Sequence, residues 1–435
     1  MNPLPNEAYQ AVQERLSKLS PSVPFEQIWD RHRQAKRPRR SRTAIRFAVP
    51  ALALSLVVVL LAWGSLSPAV GAAFNRIPFI EMLIKKGGYN NGLGEIERLH
   101  LSEPVEKVVT DRNIQLTVVE AFYDGVQIAV SYRVDYLKED AITEQDVGVY
   151  YHMGIQGAEP TMMATHENTI TGDRTFVGTI LISLTGAEMP DRPVLQLDIN
   201  RIGKTSGNWN VAVPLSAKRS APNTKTFHPG IEASVGDHRF RVEKVTITPV
   251  TTLVVVRSDD NELAYRLEDD LETRLYDAGG GGAISGEKEL HFDPPAEINA
   301  RPRYLTLLVT GNRSGGGENH TENRTAAYNG QIPLELAGNG GGSVVIRDVA
   351  FLADRTEVEY DASDAANQRP MLYLVDATGK TYSPIGNPVR TATDRFSFRL
   401  TYPKVESEGL QFTMTLDVPD EAPLEPKRVK IPLSW

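Results

Sequence analysis

Residues 114–134 read IQLTVVEAFYDGVQIAVSYRV, and their alternation decides the fold. Ile114, Leu116 and Val118 recur at every second position, and Val126, Ile128, Val130, Tyr132 and Val134 do so again, with Gln127, Ser131 and Arg133 between them. Successive side chains of an extended strand point to opposite faces, so this alternation predicts half-buried strands. Between the two runs stands Tyr123-Asp124-Gly125. Asp-Gly is a strong hairpin signal, because glycine accepts a positive φ without steric penalty.

Working outward, the same layout recurs at domain-sized intervals. Hairpins are expected at 114–132, 240–256 and 344–360, and long alternating strands at 194–199, 304–309 and 410–416. An apolar-Pro-Leu signature follows each: Val213-Pro214-Leu215, Ile332-Pro333-Leu334 and Ile431-Pro432-Leu433. Short antiparallel strands bury one face best against a second sheet, so the fold class expected is mainly β, with serial antiparallel, immunoglobulin-like β-sandwich modules. Their expected bounds are 102–218, 227–337 and 343–435. The stretch 216–226 and the Gly-Asn-Gly-Gly-Gly of 338–342 are expected to be flexible joints.

Ahead of the modules, residues 47–66 hold eleven Leu, Val and Phe and no ionisable side chain. Twenty residues at about 1.5 Å each match a hydrocarbon core about 30 Å thick, so this run is expected to be one transmembrane helix. Arg31, Arg33, Lys36, Arg37, Arg39, Arg40, Arg42 and Arg46 crowd its N-terminal flank. The positive-inside rule then puts the N-terminus in the cytoplasm and the C-terminal modules outside the cell. Through Arg46 the chain has ten Lys/Arg against four Asp/Glu, or +6, which leaves −14 of the total −8 for the rest. A cleaved signal peptide is the competing reading, because residues 67–73 are small. A 46-residue patterned segment ahead of the run and the run's length favour an anchor. Phe74, Ile77 and Ile80 make 67–101 a membrane-proximal amphipathic segment.

The chain has no cysteine in 435 residues, which excludes disulfides, thiolate zinc sites and cysteine nucleophiles. Its eight histidines show neither metal-ligand spacing nor an HExxH helix, and there is no Gly-x-Ser-x-Gly elbow. No catalytic group, metal site or cofactor is therefore expected. His152 and His166 read as exposed loop residues. The acidic residues Asp259, Asp260, Glu262, Glu268, Asp269, Asp270 and Glu272 form a solvated face or, alternatively, gather oxygen ligands for calcium. Gly279 to Gly282 and Gly315 to Gly317 are read as loop tips. Tyr123, Tyr132, Tyr150 and Tyr151 belong to packed strand faces or, alternatively, to a glycan-binding platform.

The head, residues 1–46, fits two short helices: Tyr9, Val12, Leu16 and Leu19 form one stripe, and Phe25, Ile28, Trp29 and His32 form the other. Two helices of this length bury too little to fold alone, so the second stripe is a candidate helix-in-groove anchor. Arg37, Arg39, Arg40 and Arg42 suit an anionic lipid surface, and nucleic acid is not expected as a partner.

Ser67-Pro68-Ala69 directly after the run, Ile77-Pro78, and the hairpin 116–130 with Ala121-Phe122-Tyr123-Asp124-Gly125 carry a family resemblance from about residue 42 to 215. The chain resembles single-pass membrane proteins of Gram-positive, spore-forming bacteria that are encoded beside extracytoplasmic-function sigma factors and carry a domain of unknown function directly after the span. The resemblance implies an anti-sigma factor in the cell membrane. Phe25, Ile28 and Trp29 would hold a sigma factor until an envelope component or other extracellular ligand signals its release. A zinc-binding anti-sigma head needs cysteines, and this chain has none. The alternative function is a cell-surface binding or adhesion protein whose β modules carry the ligand site.

Overall fold

The computed structural model describes residues 92–435 except 139–140, 187–188, 191, 259–262, 279–281, 285, 312–318 and 420–424. The chain divides into two units between residues 75 and 76, and the architecture below is that of the second. The expected head, the expected span and most of the amphipathic segment lie outside the described residues. So do Phe25, Ile28, Trp29, Arg37, Arg39, Arg40 and Arg42. Among the described residues no helix is long and apolar enough to cross a membrane.

The molecule is mainly β, built from antiparallel sheets. One helix, α1 (Gly92–Arg98), precedes them, with Glu95 in its first turn and Arg98 in its last. That order of charges suits the helix dipole, and the two side chains pair at 2.5 Å.

The first module carries β1 (Glu103–Asp111), β2 (Ile114–Tyr123), β3 (Gln127–Tyr136), β4 (Val149–Ile155), β5 (Thr161–Gly172), β6 (Thr175–Thr185), β7 (Val194–Ile202) and β8 (Thr205–Pro214). They make two sheets, in the orders β1-β2-β3-β6-β5 and β4-β7-β8. Both sheets contribute to one core: Leu116, Ile128, Val130 and Val134 from one, Leu195, Leu197, Trp209 and Val211 from the other. Trp209 is fully buried, and its indole N–H donates to the Ile114 carbonyl at 2.9 Å, so its one polar atom is satisfied.

The second module carries β9 (Lys225–Phe227), β10 (Ile231–Val235), β11 (His238–Ile247), β12 (Thr252–Ser258), β13 (Ala264–Glu268), β14 (Arg274–Leu275), β15 (Gly282–Ile284), β16 (Glu287–Phe292) and β17 (Tyr304–Thr310). The third carries β18 (Asn319–Ala327), β19 (Leu334–Ala337), β20 (Ser343–Phe351), β21 (Arg355–Ala362), β22 (Met371–Val375), β23 (Thr381–Tyr382), β24 (Ile385–Arg390), β25 (Ser397–Pro403) and β26 (Gln411–Pro419). A last strand, β27 (Lys427–Pro432), follows.

The repeat is visible in detail. The expected hairpins are β2–β3, β11–β12 and β20–β21, and each carries a register shift at the same place. It falls between Val118 and Glu120, between Val242 and Lys244, and between Ile346 and Asp348. A bulge adds a residue and strengthens the local twist, and its recurrence marks it as part of the repeating design.

The module bounds 227–337 and 343–435 require correction. In the first module β7 and β8 pair as a hairpin. In the other two modules this hairpin is opened and the closing strands are exchanged: β18 pairs with β26, and β27 pairs with β17. The second module's other sheet thus runs β14-β13-β17-β27, and the third's runs β18-β26-β22-β23. The equivalence of β8 and β27 holds in register. Pro214 stands opposite Val194, the first residue of β7, and Pro432 opposite Tyr304, the first residue of β17. Leu215 N–H donates to the Pro193 carbonyl at 2.9 Å, and Leu433 N–H to the Arg303 carbonyl at 3.1 Å. Val429 and Ile431 enter the second core, and this decides the pairing, since each buried aliphatic contributes about 1.5–3 kcal/mol. The signature Ile332-Pro333-Leu334 closes no module, because Leu334 begins β19. The stretch 338–342 is likewise a turn between β19 and β20 rather than a joint. Gly338 N–H donates to the Gly342 carbonyl at 2.7 Å, and Asn339 N–H to the buried Asn367 side chain at 2.7 Å.

Candidate ligand-binding cleft

The predicted Asp124-Gly125 turn is present, with Gly125 exposed at φ 96° and Asp124 buried against the second module. One carboxylate oxygen of Asp124 accepts from the N–H groups of Val126 and Gln127 at 2.9 and 2.7 Å. The other accepts from the Thr248 hydroxyl at 2.7 Å, in the turn between β11 and β12. Beside this polar tie, Val126 packs with Leu253 and Val255. Helix α1 lies over the same junction, where Ile96 and Leu101 cluster with Phe122 and Ala129 of the first module and Val250 of the second.

Besides the exchanged strands, the second and third modules meet through buried polar side chains. Arg390, 5% exposed, donates to the Leu271 carbonyl at 2.6 Å, the Thr273 hydroxyl at 2.8 Å, and the carbonyls of Ala392 and Arg395. Gln368 accepts from Arg274 N–H at 2.9 Å and donates to the Glu272 carbonyl at 3.2 Å. Asn387 donates to the Asp293 carboxylate at 2.7 Å.

Where these junctions meet there is a cleft of about 470 Å³. Its walls are α1 (Glu95, Arg98, Leu99), the connector to the second module (Pro222, Asn223), the second module (Lys225, Arg274, Tyr276, Asp293, Glu297, Arg301), the third (Pro388, Arg390) and Trp435. The size falls within the range of small-molecule sites, which favour such junctions. Burial depresses the Arg274 guanidinium, with the charges of Arg266 and Arg369 acting in the same direction and Tyr276 and Glu268 against it. Burial also raises the Asp293 carboxyl to about 6 against the opposing hydrogen bond from Asn387. Sequence reasoning missed this cleft. Its residues come from segments some 340 positions apart, from Glu95 to Trp435, and no local spacing joins them.

A second, shallower groove of about 710 Å³ lies on the first module and gathers Tyr150, Tyr151, His152, His166, Asn200 and Arg201. The Arg201 guanidinium sits 3.6 Å over the Tyr150 ring, and Tyr151 meets His166 edge-on at 6.4 Å. Two of the four singled-out tyrosines thus share a groove, and with them both histidines, which lie on strands rather than loops. Tyr123 and Tyr132 are buried in the first core instead.

Of the acidic stretch, Asp259, Asp260 and Glu262 lie outside the described residues. Asp269 is buried rather than solvated, and accepts from Leu271 N–H, Thr273 N–H and the Asn299 amide at 2.7–2.9 Å. Glu268 pairs with Arg428 at 3.1 Å and Asp270 with Arg303 at 2.7 Å. These groups serve the fold. Among the described residues no cluster of three or more metal-ligating side chains is present. Gly279 to Gly281 and Gly315 to Gly317 lie outside the described residues, and Gly282 opens β15.

Residues 39–135 match a family described as a domain of unknown function, DUF4179. The match begins in the basic flank, runs through the uncharged stretch and α1, and ends in β3. No curated protein matches this chain. Among solved structures, the crystal structure of the conserved domain protein from Bacillus anthracis is similar at a TM-score of 0.40 and 16% identity, over 54% of this chain and 84% of that one.

Proposed function

We propose that the protein is a single-pass, membrane-anchored anti-sigma factor. Its cytoplasmic head sequesters an extracytoplasmic-function sigma factor through Phe25, Ile28 and Trp29, with Arg37, Arg39, Arg40 and Arg42 on the lipid surface. Its outer modules, read as immunoglobulin-like sandwiches, sense an envelope signal. The observation that carries this reading is the position of α1, the first described element after the expected span, packed over the junction of the first two modules through Ile96. A change at that junction repacks α1, and α1 is continuous in sequence with the segment leading back to the membrane. The family match supports the same unity, since it runs from the basic flank into the first hairpin. A surface-binding role is the second reading, favoured by the exposed Tyr150–Arg201 pair in the groove of the first module.

The test is transcription in the source cells. Deleting the protein, or changing Trp29→Ala in the full chain, should raise transcription from promoters read by the retained sigma factor several-fold, as loss of an anchor side chain does. Transcription that stays at the wild-type level in both strains contradicts the proposal.

A further inference from the structure

We propose that the cleft between α1, the second module and the third binds a small oxyanion, a phosphate- or carboxylate-bearing solute. This rests on the sensing role given above to the outer modules and names the chemical class of what they sense.

Among the described residues, the fold leaves positive charge in this cleft uncommitted. Five cationic side chains and three carboxylates line the cleft. Two of the carboxylates are taken by one cation: Arg98 pairs with Glu95 at 2.5 Å and with Glu297 at 3.5 Å. The third, Asp293, is held by the Asn387 amide. Arg390 is committed to carbonyls and the Thr273 hydroxyl, so it forms a fixed positive wall. That leaves Arg274, Arg301 and Lys225.

Arg274 is the informative one. Its guanidinium is half-buried, yet among the described residues it has neither a hydrogen bond nor an ion pair; Arg266 and Arg369 repel it, and only the Tyr276 side chain and the more distant charge of Glu268, itself paired with Arg428, favour it. The Tyr276 ring stands near two of these cations, 5.6 Å from the Arg274 guanidinium and 4.6 Å from that of Arg369. Withdrawing a cation from water without a partner is unfavourable, and a guanidinium fork matches the paired oxygens of a phosphate or carboxylate. An oxyanion in the cleft would give Arg274 the partner that the fold withholds, with Arg301 and Lys225 beside it. The second and third modules are interlocked by exchanged strands, whereas α1 forms the opposite wall. An anion bound here therefore acts on the element that leads to the membrane.

The experiment uses the full chain in phosphatidylcholine nanodiscs, titrated calorimetrically with inorganic phosphate and, separately, with citrate. Saturable binding of one or both is expected, and the stronger arm identifies the anion. Arg274→Gln should weaken it about tenfold or more, as loss of a charge-assisted pair does. The more exposed Arg301→Gln should weaken it less, and Arg192→Gln, an exposed residue outside the cleft, should leave it unchanged. Absence of saturable binding in both arms, or wild-type affinity in both cleft variants, overturns the site. Sigma-factor retention scored on the same preparation separates this failure from failure of the anti-sigma role.

Discussion

Asp124 shows how one side chain can do the work of a turn and of an interface. Its carboxylate closes the hairpin between β2 and β3 through two N–H groups, and its other oxygen reaches Thr248, 124 residues further on. The turn was legible in sequence because Asp-Gly between alternating runs is a local signal. The bond to Thr248 was not, since nothing local marks its partner. The same holds for His291 and Asp293, which look like ordinary polar residues at the end of a strand. His291 is 1% exposed with neither ring nitrogen hydrogen-bonded among the described residues, and burial lowers its imidazole to about 4. Burial raises Asp293 to about 6. The signs oppose. The raised carboxyl stabilises the fold below about pH 3.9, and that contribution is lost as pH rises through 6. The depressed imidazole stabilises it above about pH 6.5, and that contribution is lost as pH falls through 4. In the wild type the two trends largely cancel between pH 4 and 6. Asp293→Asn leaves the histidine alone, so this variant should lose about 2–3 kcal/mol more than the wild type between pH 6.5 and 4. Urea unfolding at the two pH values measures it, and parallel pH trends for the two proteins would refute the assignment.

Among elements, alternation located the hairpins and the long strands, because the period of side-chain direction is a property of each strand alone. Which sheet a strand joins is not such a property. The strands β8, β18 and β27 all follow a long strand in sequence, and only β8 folds back on it. The others complete each other's modules, so a repeat that is intact along the chain is crossed in space. A sharp prediction follows for Ile431, fully buried in the second core. Ile431→Asp places an unpaired charge there and should destabilise the fold by about 3–5 kcal/mol. Hydrogen exchange should show protection lost first in 304–310 of the second module. Protection lost first in 411–419, beside β27 in sequence, would mean that the closing strands are not exchanged.

At the scale of the whole molecule, the second and third modules form an interlocked block, and the first module meets it through the β2–β3 turn, through Gly186 N–H on Glu289, and through α1. A ligand bound beside such a junction can shift it, provided that it binds the two junction states unequally. The cleft stands where the block and α1 meet. Its parts were illegible in sequence, while the proposed orientation across a membrane rests wholly on sequence, on the basic flank and the uncharged run. A sensor outside and a regulator inside are joined only if the head holds a sigma factor. The full-length protein should be purified from membranes of its source cells beside its Trp29→Ala form, and the bound proteins identified by mass spectrometry. The account predicts a sigma factor with the wild type, reduced several-fold or more with Trp29→Ala. A sigma factor absent from both, or recovered equally with both, would contradict it.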